Sequence, residues 1–592
     1  MYLVLIETSG NQHFIFSTNK LKENIGASQL TYLAGTKWVI DAVAQVDGNA
    51  RLALWTEQGS EELRNKLLDP KLNPPIEKKE NRFQVEIIIA ASGKAMLLVK
   101  ENKYAKAIIG KVTQKALEEA PGLDICGVIH EFNWKEEQSL PTAISDIHKK
   151  FEVARSRKPS PDLRFLRLPV VEDCSTSGLP ASHFEPLSSG GESTAISAVS
   201  KTKRESRSEG YERIELLLQR QYPEINFARS IRVLDQEKEQ EQETSNNGTK
   251  KIEWFAVIHA DGNGLGQIFL NFHEYLKKLN SGYNNRYYVD KLRDFSLALD
   301  ACTEKAFLSA IQAVFTKENQ DKKLIPIVPL ILGGDDLTVI CDGKFALPFT
   351  QKFLQEFEEE TQQNEIIAEI AQEALSANRL SACAGVAIIK PHFPFSVAYE
   401  LAEALTKSAK KVKEIVIKNE IPYPCSAIDF HVVYDTSGVE LSNIRKHLEL
   451  EINKEKNKLY RRPYVVTPET ELQEAQKGKD WVRLHHWGLL EKYVGVITAQ
   501  DEVGKRQLPN TQVYQLREGL FLGKDLADAR YKLIKERYKE QGITQLEGDS
   551  NSLFSLEELS QKDLEKSSQN TSVSTYITGI LDAIEAADFL GF

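Results

Sequence analysis

The sequence predicts an α+β protein built from two ferredoxin-like (βαββαβ) units followed by a helical C-terminal domain. Three observations predict it. Apolar strands and helical periodicities occur in the same order twice, the two stretches share landmarks, and the pattern after about residue 436 becomes mainly helical.

The N-terminal unit reads as a strand at 2–8, helix near 20–46, and strands near 83–91 and 95–100. A helix at 104–119, strand at 123–132, helix at 138–157 and strand at 164–171 complete it. From residue 252 the order recurs. An apolar strand (WFAVIHA) precedes helical segments near 265–279 and 291–316, a strand–turn–strand across 324–341 and a helix near 344–377. A strand (SACAGVAII), a helix from Ser396 to Lys418 and a strand (SAIDFHVV) follow. Residues 7–16 (ETSGNQHFIF) align without gaps on 260–269 (ADGNGLGQIF), which places Thr8 where Asp261 stands. The hairpin IIIAASGKAML (87–97) aligns on ILGGDDLTVI (331–340), with Gly93 and Lys94 opposite Asp335 and Asp336. On this register all three carboxylates are missing from the first copy, so one copy is predicted to do metal chemistry and the other to hold or shape.

The expected boundaries are 1–186, 187–250, 251–436 and 437–592. Within the linker, 187–209 is rich in Ser, Gly and basic residues, and 235–251 lacks apolar periodicity, so both read as loop or disorder. Amphipathic helices are predicted at 440–459 and 514–542, a polar break at 546–570 and a last helix at 575–589.

Composition narrows the function classes. With 75 basic and 85 acidic residues the net charge is -10, which argues against coating nucleic acid by bulk electrostatics. Cys126, Cys174, Cys302, Cys341, Cys383 and Cys425 show no CxxC spacing, so neither a zinc ribbon nor a disulfide framework is expected, and a reduced cytoplasm fits. The opening MYLVLI is too short for a signal-peptide core, and the aliphatic run from Leu324 to Leu332 is broken by Pro326 and Pro329. No membrane association is therefore expected.

The chemistry concentrates in the second copy. Asp335 and Asp336 follow Gly333 and Gly334 at a hairpin tip, and Asp261 ends the strand that should lie beside that hairpin. Two carboxylates about 4 Å apart repel by roughly 4 kcal/mol at an effective dielectric of about 20, so they persist only where a cation offsets them. Two divalent ions carrying nucleotide phosphates answer that need, with Asp261, Asp335 and Asp336 as catalytic and metal-binding groups. Gly262, Asn263 and Gly264 form a tight loop suited to phosphate. Lys410 is the candidate contact to a triphosphate, with Lys407 or Lys411 as substitutes. His485 and His486 read as packing and capping residues. Arg461, Arg462 and Tyr464 read either as an RNA contact or as a surface-packed helix terminus.

These residues resemble the large, signal-producing subunit of type III CRISPR effector complexes, a polymerase-cyclase with two palm domains. The resemblance rests on GGDD (333–336), ADGNG (260–264), AGVAII with PFSVAYELAEALTKSAKK (within 384–411), SAIDFHVV (426–433), SGNQHFIF (9–16) and RRPY (461–464). It implies conversion of ATP into a cyclic oligoadenylate, or a related adenylylated messenger, when the complex binds target RNA. It also implies Mg²⁺ or Mn²⁺ held by Asp261, the Gly262 carbonyl, Asp335 and Asp336. Nucleotide would be bound around Gly262, Asn263, Gly264, Gly333, Gly334, Lys407 and Lys410, and the first palm would help hold an acceptor ATP. Guide RNA and target RNA would be met chiefly through other subunits. Two departures stand out: no His-Asp dipeptide occurs, so the nuclease activity of many members is not expected, and only Cys174 lies near the place of a four-cysteine zinc module. Asn263 also stands where a further acidic residue is frequent. The competing readings are a non-catalytic scaffold and a stand-alone cyclase of the cyclic-dinucleotide type.

Overall fold

Runs of aliphatic residues that are too apolar for one wet face form the centres of two sheets, each covered by helices. The computed structural model describes residues 1–48, 59–78, 80–136, 139–159, 161–186, 193–223, 234, 252–280, 282–315, 325–434, 440–452, 454–548, 551–557 and 574–590.

In the first copy the elements are β1 (Tyr2–Ser9), α1 (Asn11–Phe16), α2 (Leu21–Gly35), α3 (Lys37–Asp47) and α4 (Gly59–Leu68). They continue with β2 (Val85–Ala91), β3 (Lys94–Val99), α5 (Asn102–Glu119), β4 (Asp124–Glu131) and α6 (Ser139–Ser156). The connecting segment contains β5 (His183–Glu185), β6 (Thr194–Ile196), α7 (Ala198–Glu205) and α8 (Arg207–Gln219). The second copy runs β7 (Phe255–Gly262), α9 (Leu265–Leu270), α10 (Phe272–Leu279), α11 (Asn285–Phe315), β8 (Ile327–Gly333) and β9 (Asp336–Asp342). Next come α12 (Gly343–Gln363), α13 (Glu365–Leu375), β10 (Ala382–Ile389), α14 (Phe395–Ala409), β11 (Ile417–Lys418), β12 (Ile421–Pro422) and β13 (Ala427–Val432).

The sheet orders are β2-β3-β1-β4 and β16-β13-β10-β7-β9-β8, where β16 is Tyr464–Val465. Both four-strand centres therefore have the 4-1-3-2 order of a ferredoxin-like unit, as the repeated pattern predicts. Helix breaks follow local chemistry: the Asn364 side chain accepts from the Ile367 amide at 3.2 Å, ending α12 and capping α13.

The two copies dock reciprocally. Each has a register shift in its central hairpin, between Ile87 and Ile89 and between Pro329 and Ile331. Ser28 on α2 donates to the Leu330 carbonyl at one bulge, and Arg293 on α11 donates to the Ile87 carbonyl at 3.1 Å at the other. Beside it, the fully buried Glu86 receives Arg286 at 2.7 and 2.9 Å and also Arg293, and accepts from the Ile76 amide at 2.9 Å.

Several expectations are corrected. Residues 164–171 form no strand: Arg164 is held by Asp124 and the Leu123 carbonyl, and Pro169 lacks the amide a ladder needs. In the stretch 187–209, residues 187–192 lie outside the described set, whereas 193–209 is ordered. There Ser197 caps α7 by accepting from Ser200, and Val199 and Lys203 are buried. The 235–251 stretch lies outside the described residues. Helix 440–459 stops at α15 (Leu441–His447). The alternating charges beyond it form a hairpin of β14 (Glu449–Ile452) and β15 (Glu455–Lys458), turned through Lys454 at φ 65°.

The remaining elements are α16 (Lys479–Leu484), α17 (Trp487–Thr498), α18 (Asn510–Leu520), α19 (Lys524–Tyr538), β17 (Ser555–Glu557), β18 (Thr575–Ile577) and α20 (Ile580–Ala586). The mainly helical C-terminal part thus contains a small sheet, β14-β15-β18-β17. Its last helix is shorter than 575–589 because Thr575–Ile577 pairs as a strand. Arg461, Arg462 and Tyr464 are buried rather than at the surface. Arg462 pairs with Asp582 at 2.8 Å and Glu585 at 3.1 Å, and Tyr464 donates to Asp582 at 2.8 Å. His485 is buried and His486 caps α17, as expected. Among the described residues no helix is long and apolar enough to cross a membrane.

Burial alone would raise the Glu86 carboxyl, but hydrogen bonds and charge from Arg286 and Arg293 outweigh it and hold the carboxyl below its ordinary value of 4.5. Glu86→Ala leaves two guanidinium groups without their shared partner and should cost about 3–5 kcal/mol in denaturant unfolding, with Glu86→Gln costing less. The wild-type contribution is complete above pH 4.5 and lost as pH falls through the lower folded value.

Candidate functional site

Strand β7 delivers Asp261 at its penultimate position, and its pairing with β9 (Ala260 opposite Leu337) brings Asp261 level with Asp336. Asp335 occupies the second position of the two-residue turn between β8 and β9. Gly334, at φ 63°, takes the left-handed first position, which leaves Asp335 free of backbone strain. Gly334 donates to Asp300 at 3.2 Å, and its carbonyl accepts from Thr303, so α11 fixes the tip. Arg64, from the first copy, joins Asp300 at 2.7 Å and Glu304 at 2.9 Å behind it.

Asp261, Asp335 and Asp336 each offer a carboxylate oxygen within 4.8 Å of the others. Burial, then the charge of Asp261, pushes the Asp335 carboxyl up to about 6. Burial, then Asp335 and Asp261, pushes Asp336 well above the usual range. Lys410 acts in the opposite direction on both. Its ammonium donates to Asp261 Oδ2 and, at 3.0 Å, to the Gly262 carbonyl.

Helix α14 brings Lys410 there through three contacts. Its first amide, Phe395, donates to Asn19 of the first copy at 2.9 Å, and Tyr399 stacks on Phe16 with ring centroids 4.2 Å apart. Thr406 donates to the His259 carbonyl at 2.9 Å. That approach depends on Gly385, where a Cβ would stand 2.0 Å from the Ala402 carbonyl oxygen. Burial lowers the His259 imidazole, whose ring contacts Thr338 at 3.1 Å.

The other predicted residues separate. Gly262 lies against Asp335, since a Cβ there would meet Asp335 Oδ2 at 2.8 Å. Gly264 is the left-handed residue before α9. Gly333 ends β8 opposite Asp336. Asn263 turns its side chain into the fold. It is buried, and its amide donates to Ser381 at 3.0 Å and the Cys425 carbonyl at 3.1 Å. Lys407 is exposed and paired with Glu403 at 2.6 Å, so Lys410, not Lys407, is the lysine at the carboxylates. Lys411 is exposed.

The structure also shifts the register between the copies by one residue. Gly10 and Gly264 are both left-handed residues before a six-residue helix, and Glu7 opposite Lys94 matches Asp261 opposite Asp336. Glu7, not Thr8, therefore stands at the Asp261 position. The gapless alignment followed the Ile-Phe identity at 15–16, whereas backbone conformation and strand pairing set the true register. In the first copy Lys94 pairs with Glu7 at 3.3 Å. The left-handed turn residue there is Gly93, at the position of Asp335, where an aspartate would be strained. Sequence reasoning missed Asp300, Thr303, Arg64 and Tyr399. None carries a motif, and Arg64 lies 236 residues from Asp300 in the chain.

A ferredoxin-like sheet with carboxylates on its first strand and central hairpin has the architecture of a palm domain. Residues 254–421 match the family model for Cas10/Cmr2, second palm domain, and the chain therefore carries that domain. Similar solved structures include the type III-B Cmr-beta complex in its apo state (12% identity over 100% of this chain and 82% of that chain, TM-score 0.48). Csm1 in T.onnurineus is similar at 13% identity (100% and 69%, TM-score 0.48). The Csm1–Csm4 cassette in complex with AMPPNP is similar at 12% identity (100% and 69%, TM-score 0.47). No curated protein matches the chain.

The donor set fits a hard divalent cation: three carboxylates and a backbone carbonyl, all oxygen, with two of the carboxyls disfavoured as anions unless a cation is present. Asp336→Asn removes one mutually repelling charge and should stabilise the chelator-treated protein by about 1 kcal/mol in thermal unfolding. The same substitution should abolish any stabilisation by added Mn²⁺.

Proposed function

We propose that this chain is a signalling nucleotidyltransferase of a type III CRISPR system, converting ATP into a cyclic oligoadenylate or a related adenylylated messenger when its complex recognises target RNA. The observation that carries the reading is the convergence of Asp261, Asp335, Asp336 and Lys410 at one point of a Cas10/Cmr2-type palm. Bound Mg²⁺ or Mn²⁺, two ions, would activate a ribose hydroxyl and neutralise the triphosphate and departing pyrophosphate. Asp261, Asp335 and Asp336 would hold those ions, with the Gly262 carbonyl as a further oxygen ligand.

The backbone around Gly262 to Gly264 and at Gly333–Gly334 gives phosphates close access, and Lys410 meets their charge. The first copy, with Lys94 paired to Glu7 in place of an acidic set, positions the acceptor ATP without metals of its own. Guide RNA and target RNA reach the chain through companion subunits in the cytoplasm, in keeping with a net charge of -10. The nucleotide- and RNA-bound structures similar in fold include a Csm1–Csm4 cassette in complex with cA4 and a Cmr-beta complex bound to cognate target RNA.

The test is incubation of the purified protein, alone and within its complex plus target RNA, with ATP and Mg²⁺ or Mn²⁺, with products identified by mass spectrometry. Adenylate oligomers are expected from the wild type and should be lost from Asp335→Ala/Asp336→Ala. No product under any of these conditions would overturn the reading in favour of a scaffold.

A further inference from the structure

Lys410 occupies an informative position. Its ammonium contacts Asp261 Oδ2 and the Gly262 carbonyl together. These are two of the four oxygen ligands assigned above to the divalent ions. An ammonium nitrogen and a metal ion cannot occupy the same place between these two oxygens, and two cations side by side there repel each other. We infer that Lys410 is a displaceable internal cation that fills part of the metal site until nucleotide arrives, and that it thereby makes tight metal loading depend on the triphosphate. The inference rests on the metal-dependent nucleotidyltransferase reading above.

The surroundings support the exchange. Lys410 follows the last residue of α14 and begins a 3₁₀ turn, Lys410–Glu414, so its side chain leaves the helix end rather than a packed face. Its side chain is 21% exposed, which leaves room for the ammonium to swing outward. The helix itself is anchored elsewhere, by Asn19, the Tyr399–Phe16 stack and Thr406, so moving the ammonium does not require moving the backbone. Lys407, one turn earlier, is engaged with Glu403 and offers a comparison of equal charge outside the site.

The thermodynamic consequence has a definite sign. In the absence of nucleotide Lys410 competes with the divalent ion for Asp261 and the Gly262 carbonyl, so the wild type binds metal weakly. A triphosphate gives the ammonium another partner and lifts the competition, so nucleotide and metal bind with positive coupling. Removing the ammonium should tighten metal binding without nucleotide and weaken the coupling. Removing a lysine away from those oxygens, such as Lys407, would leave metal affinity without nucleotide unchanged.

Mn²⁺ binding to the full chain, measured by the electron paramagnetic resonance signal of free Mn²⁺ with and without a non-hydrolysable ATP analogue, tests this. Lys410→Met and Lys410→Gln are expected to bind Mn²⁺ alone at least tenfold more tightly than the wild type. The analogue should then enhance their Mn²⁺ affinity less than it enhances the wild type's. Lys407→Met should behave as wild type. Equal or weaker Mn²⁺ binding by both Lys410 variants would overturn the placeholder role while leaving the metal site standing. Absence of Mn²⁺ binding to every form, with or without analogue, would overturn the metal reading together with it.

Discussion

Mutual repulsion among Asp261, Asp335 and Asp336 is the constraint around which the second copy is organised. Three carboxylates with oxygens within 4.8 Å are destabilising unless the backbone is held rigidly and a cation is near. Strand pairing supplies the rigidity for Asp261 and Asp336, which lie level at the ends of adjacent interior strands, next to the fully buried Ala260 and Leu337. Asp335 lies beyond the ladder, and its turn is fixed from behind by Asp300 and Thr303 on α11. The cation is Lys410, delivered by a helix that can approach the sheet closely because residue 385 is glycine.

That arrangement also joins the two copies. Asp300, which steadies the Gly334 turn, is itself paired with Arg64 of the first copy, and α14 is anchored by Asn19 and Phe16 of the first copy. The reciprocal bonds at the two bulges, from Ser28 to Leu330 and from Arg293 to Ile87, tie hairpin to hairpin across the duplication. Geometry at the carboxylates therefore depends on side chains more than two hundred residues away in sequence.

Much of this was legible in the chain. The repeated strand–helix order identified both sheets, because apolar runs of β-branched residues bounded by Gly and Asp are strong local signals. Asp261, Asp335 and Asp336 were legible because their proximity follows from ferredoxin-like strand order. The strand reading of 164–171 failed because its apolar residues satisfy a pattern that Pro169 and the Arg164–Asp124 pair prevent from reaching the sheet. The helix reading of 440–459 failed because charged residues alternate there in a way that serves either an exposed helix or a hairpin, and Lys456 pairing with Glu449 favours the hairpin. Arg461 and Arg462 were read at the surface because polar residues beside a motif suggest ligands, yet both have buried partners, Ser555 for Arg461 and Asp582 for Arg462. Whether a polar side chain is buried is decided by tertiary packing, and no local pattern encodes it.

The difference between the copies reduces to the turn. Where Gly334 takes the left-handed position, the next residue can be Asp335, and a carboxylate projects at the tip. Where Gly93 takes it, a side chain is strained and its Cβ would meet Thr8 Oγ1 at 2.4 Å, and Lys94 in the following position compensates Glu7 directly. Moving the left-handed residue by one place thus exchanges a site that needs an external cation for one that carries its own. In the second copy Lys410 imitates that solution from a neighbouring helix, with the difference that a side chain at a partly exposed helix end can withdraw, whereas Lys94 is built into the strand itself.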